Sequence, residues 1–67
     1  MATTVRKGYL KVTERGQTVI TAKQQGDRVY VEVSGMAALP DAKQVWQILK
    51  GDGVARADYV KAFGHML

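Results

Sequence analysis

A chain of 67 residues with 46% hydrophobic and 24% charged side chains has the composition of one small globular domain, not of a disordered tail. It has no cysteine for a disulfide or a thiolate metal site, and its apolar runs fall well short of the roughly 20 residues that cross a bilayer. Ten Lys and Arg against six Asp and Glu leave a net charge of +4, so a polyanion is a more natural partner than a membrane core.

Residues 1–7 are polar and lack a pattern, and they read as a flexible basic arm carrying Arg6 and Lys7. Residues 8–67 read as a single α+β domain. From Gly8 the hydrophobic period is two: Leu10 and Val12 alternate with Tyr9, Lys11 and Thr13. After Arg15-Gly16, Val19 and Ile20 continue among β-branched neighbours; after Gly26-Asp27, Val29, Val31 and Val33 alternate with Arg28, Tyr30 and Glu32. This pattern predicts a three-stranded antiparallel β-meander with glycine-containing turns, its valines facing a core.

The period changes after Ser34-Gly35. Pro40 at a first helical position, followed by Asp41, predicts a helix with Ala42, Val45, Trp46 and Leu49 on its apolar face, stopped by Lys50 and Gly51. A second helix, opening at Asp52 or Gly53, places Ala55, Tyr59, Ala62, Phe63 and Met66 on one side. The expected architecture is therefore βββαα, three strands followed by two C-terminal helices. A chain this short buries only about 60% of its unfolded surface, so a homodimer is expected to supplement the core.

The inventory of reactive groups is sparse. One histidine, His65, near the end of the chain, and one serine, Ser34, do not assemble a nucleophile, base and orienting acid, and the acidic residues are scattered singly. No catalytic residue, metal site or cofactor is expected. Gly51-Asp52-Gly53 reads as a turn between helices, not as a phosphate loop.

The basic charge, in contrast, is uneven. Residues 1–35 hold Arg6, Lys7, Lys11, Arg15, Lys23 and Arg28 against Glu14, Asp27 and Glu32, with Tyr9 and Tyr30 interleaved. Cations for phosphates and aromatic rings for bases make Arg6, Lys7, Lys11, Arg15, Lys23, Arg28 and Tyr30 the candidate nucleic-acid-binding residues, with Arg15 and Arg28, near turn tips, placed to reach base edges.

The stretch Leu10-Lys11-Val12-Thr13-Glu14-Arg15-Gly16-Gln17-Thr18-Val19-Ile20, followed by Gly26-Asp27-Arg28-Val29-Tyr30-Val31-Glu32-Val33, resembles the two ends of the swapped-hairpin DNA-binding domain of AbrB-type transition-state regulators and related antitoxins. The resemblance implies a homodimer with interleaved hairpins in which Lys11, Arg15 and Arg28 touch DNA and Gly16 is the turn residue. The short helix that the family carries between the two halves has no counterpart in Thr21 to Gln25. The segment Ile48 to Val60 also resembles a helix-turn-helix, with Gly53-Val54-Ala55 in the turn and Arg56 and Lys61 on a recognition helix; a plain helical hairpin packed on the sheet is the alternative.

These features favour a small cytoplasmic DNA- or RNA-binding regulator of bacterial, plasmid or phage type. The rival is a protein-interaction module, such as a phage-encoded inhibitor or antitoxin-like adaptor, that binds a host protein through an exposed sheet edge.

Overall fold

The computed structural model describes residues 2–67. Five strands form one antiparallel sheet whose spatial order follows the chain: β1 (Ala2–Arg6), β2 (Tyr9–Glu14), β3 (Gln17–Gln25), β4 (Arg28–Val33) and β5 (Met36–Ala38). Two helices follow, α1 (Ala42–Gly51) and α2 (Arg56–Phe63), and a 3₁₀ turn over Gly64–Met66 ends the ordered elements. The fold is thus α+β with C-terminal helices, but with two strands more than the alternation predicts.

Both additional strands lie at sheet edges. Ala2–Arg6, expected as an arm, pairs along its length with β2, from Ala2 opposite Thr13 to Arg6 opposite Tyr9; Met1 lies outside the described residues. β5 pairs with the second half of β4, placing Ala38, Ala37 and Met36 opposite Val31, Glu32 and Val33. An edge strand has only one neighbour to satisfy and little to bury, so Val5 alone is partly buried in β1 and nothing is in β5.

The hairpins are set by backbone sign. Arg15 and Gly16 both have positive φ, 54° and 78°, as do Ser34 and Gly35 at 50° and 85°, which is the type I′ pattern that matches the strand twist. Together with the Gly26-Asp27 turn between β3 and β4, where Gly26 takes φ 65°, these turns fix the register that sends Leu10, Val12, Ile20, Ala22, Val29 and Val31 to one face, where all are buried.

The helices cover that face. Ala42, Val45 and Leu49 of α1 and Tyr59, Ala62 and Phe63 of α2 are buried against it, with Trp46 half-buried. Tyr59 is the hub: its ring centroid lies 5.1 Å from that of Trp46 and 5.9 Å from that of Phe63, and its hydroxyl donates to the Ala42 carbonyl. That bond answers the cost of burying a phenol, about 1–3 kcal/mol if left unpaired. Burial pushes the Tyr59 hydroxyl above the usual phenol pKa, against the lowering charge of Arg56.

Helix boundaries differ from the expected ones for capping reasons. Asp41, not Pro40, starts α1: its carboxylate accepts the N–H groups of Lys43 at 3.1 Å and Gln44 at 3.0 Å, so Pro40 precedes the cap. Asp52 and Gly53 close α1 instead of opening α2, donating to the carbonyls of Leu49 and Lys50, and Gly53 takes φ 85°. Ala55, without a side-chain cap, precedes α2 at Arg56.

Two bonds fasten α2 and the turn after it to the sheet, and a third between them ties the β1–β2 turn to β3. The Gly8 N–H donates to the Ala62 carbonyl at 2.6 Å, the Gln24 N–H to the Gly8 carbonyl at 2.8 Å, and Gln24 Oε1 lies 2.7 Å from His65 Nε2.

Candidate nucleic-acid interface

Alternation that buries every second side chain delivers the others to the face the helices leave open. There the register aligns Arg6 of β1 with Tyr9 of β2, Tyr9 with Lys23 of β3, and Lys23 with Tyr30 of β4. The result is a row across four strands in which cation and aromatic ring alternate. The Arg6 guanidinium carbon lies 4.7 Å from the Tyr9 ring centroid and the Lys23 Nζ 5.6 Å from that of Tyr30, within cation–π range. Both rings are half-buried and both cations exposed.

A second row runs beside it: Thr4, Lys11, Thr21, Glu32 and Ala37. Its carboxylate is engaged from the first row, since the Tyr30 hydroxyl donates to Glu32 Oε1 at 3.1 Å. That hydrogen bond, then desolvation and then the carboxylate's charge raise the Tyr30 pKa, so the phenol stays protonated through the physiological range. Glu32 keeps its negative charge while accepting from the neutral phenol, so Arg6, Lys11 and Lys23 outweigh one carboxylate and leave the face net positive.

Of the residues nominated from sequence, the structure therefore gathers Arg6, Lys11, Lys23 and Tyr30 on one surface. Lys7, in the turn after β1, and Arg28, at the start of β4, flank the near rim, and Arg28 is tethered by a 3.3 Å bond from Nη1 to the Leu39 carbonyl. Arg15 stands apart. It occupies the β2–β3 turn at the opposite end of the sheet, six residues beyond Tyr9 and so about 20 Å along the strand. Tyr9, interleaved with the cations in the sequence, gains its importance only from the register, which sets it between Arg6 and Lys23.

The helical side offers less to a polyanion. α2 turns Tyr59, Ala62 and Phe63 inward, and its Arg56 guanidinium lies over the rings of Trp46 and Tyr59 at 5.0 and 5.2 Å. Of the two cations expected on a recognition helix, Arg56 is exposed but set over two rings of its own chain, and Lys61 is exposed. A pocket of about 190 Å³ lies where the α1–α2 turn meets the sheet; Val12, Ile20 and Val54 line it beside Asp52 and Asp58, a charge unsuited to phosphate. Among the described residues there is no group of three His, Asp or Glu side chains able to hold a metal ion, and no helix is long and apolar enough to cross a membrane. Comparison with known proteins finds no family model, no curated protein and no solved structure that matches this chain.

Proposed function

We propose that this protein binds nucleic acid through the open face of its sheet and acts as a small basic DNA-binding regulator. The observation that carries the reading is the Arg6–Tyr9–Lys23–Tyr30 row with Lys11 beside it: three cations placed for phosphates and two rings placed for bases, on a surface without helical cover. Lys7 and Arg28 extend the positive field along the near rim. Neutralising three to five phosphates predicts a log–log salt slope of about −2 to −4.5, from roughly −0.7 per phosphate on single strands and −0.9 on duplex. Anisotropy titration of labelled oligonucleotides at several salt concentrations tests this. The triple change Arg6→Ala, Lys11→Ala and Lys23→Ala removes binding, whereas absence of binding by the unaltered protein to any oligonucleotide at low salt sinks the reading.

A second reading rests on β5. All three of its residues are exposed, Met36 at 79%, and the neighbouring Leu39 at 48%, so an uncharged strand edge stands unguarded. A partner protein adding a strand there would bond to the outward N–H of Ala37, which ladder alternation from the Ser34-Gly35 turn points away from β4. Ala37→Pro removes that donor without touching the β4–β5 ladder. Loss of a pulled-down partner in this variant, with oligonucleotide affinity unchanged, would favour the second reading.

A further inference from the structure

Resting on the nucleic-acid reading above, we infer that the ligand of the open face is an unpaired DNA strand, bound by its base faces and phosphates, and not a duplex. The inference comes from the width and chemistry of the row. Arg6, Tyr9, Lys23 and Tyr30 sit on four neighbouring strands, so the row spans three inter-strand gaps, about 14 Å at roughly 4.8 Å each. A major groove about 12 Å wide admits a two-stranded ribbon. A five-stranded sheet backed by two helices cannot enter it face-on, and its row cannot meet base edges on a groove floor.

The side chains agree with the geometry. Tyr9 and Tyr30 lie two strands apart, about 10 Å, with Lys23 between them and Arg6 outside Tyr9. Ring, cation, ring and cation in sequence match a polymer that offers base faces and phosphates side by side. A duplex hides its base faces in the stack; an unpaired strand presents them to aromatic platforms. Each ring already attracts a cation, at 4.7 Å for Arg6 and 5.6 Å for Lys23, so an arriving base exchanges places with a side chain that then meets the phosphate. None of these contacts requires a ribose hydroxyl, so DNA satisfies them all.

The test is an anisotropy titration at low salt of labelled oligo(dT) of about 12 nucleotides, inside the usual site-size range, against a duplex of the same length. Oligo(dT) binds at least tenfold tighter. Tyr9→Ala and Tyr30→Ala each weaken it by about five- to a hundredfold, the range of a lost stacking platform, while duplex affinity stays within twofold. Tyr9→Phe, which keeps the ring, restores most of the loss and guards against a folding artefact. A single-strand preference below about threefold, or oligo(rU) preferred over oligo(dT) by more than tenfold, overturns the inference and leaves the nucleic-acid reading standing. Failure of every oligonucleotide to bind overturns both.

Discussion

The two faces of the sheet are made from alternate residues of the same strands, yet they obey different rules. Leu10, Val12, Val29 and Val31 are buried by the helices, while Tyr9, Lys11 and Tyr30, one position away in each case, are half-exposed on the open side. Stability is concentrated on one parity and the proposed binding on the other. A substitution's effect should therefore switch character with a step of one residue along β2 or β4. That contrast can be broken or sharpened by experiment.

The largest effect belongs to the covered face. Phe63→Ala removes a fully buried ring and costs about 3–5 kcal/mol, comparable with the whole stability of a domain this size. Chemical denaturation should show little or no cooperative transition. Tyr30→Ala, on the open face, should leave a clear transition; if both variants unfold alike, the separation of faces is wrong.

Gly8→Ala comes next. Gly8 has φ 75°, and an added Cβ would approach Gln24 Oε1 at 3.0 Å and Gln24 Cβ at 3.3 Å, so the change meets both backbone strain and a clash. A loss of about 1–3 kcal/mol is expected, read as a lower denaturation midpoint with unchanged slope.

Tyr59 supplies a pH test. Because its phenol titrates higher in the folded state than in the unfolded chain, the stability it contributes is complete below pH about 10 and is lost as pH rises toward the folded pKa. Melting temperature should fall above pH 10. In Tyr59→Phe that component of the fall disappears, at a cost of about 1 kcal/mol at neutral pH for the lost bond to Ala42.

The smallest effect has the opposite sign. Arg15 holds a positive φ that a side chain such as asparagine tolerates better, so Arg15→Asn should raise stability by about 0.5–1 kcal/mol. Single-strand affinity should change less than twofold because the turn lies at the far end of the sheet. A larger loss would extend the interface to that tip.

The covered face was the legible one. Alternating valines and the 3.6-residue stripe of α1 announce themselves because burial selects residue type, and Leu10, Val12, Val29, Val31, Val45 and Leu49 are buried as expected. The edge strands were not legible, since Thr3, Thr4 and the short Met36-Ala37-Ala38 bury too little to leave a hydrophobic signature. Residue types for the open face could be named, but not their neighbours. Register depends on turn geometry at Arg15-Gly16 and at the turns flanking it, and only the register puts Tyr9 between Arg6 and Lys23 and sends Arg15 away from them. The helix-turn-helix resemblance likewise could not reveal that Arg56 lies over Trp46 and Tyr59.

The bond from the Gly8 N–H to the Ala62 carbonyl joins the first hairpin to the last helix, and it bears on the order in which the molecule is made. Each hairpin pairs neighbours in sequence and closes a short loop, so the meander can begin to form while the chain is still growing. Its greasy side stays uncovered until Tyr59 and Phe63, the two largest fully buried side chains, are free of the ribosome and dock on it. The nascent sheet therefore waits, sticky and incomplete, for residues 56–63. That interval, not the finished fold, is when this protein is most exposed to aggregation and to chaperones.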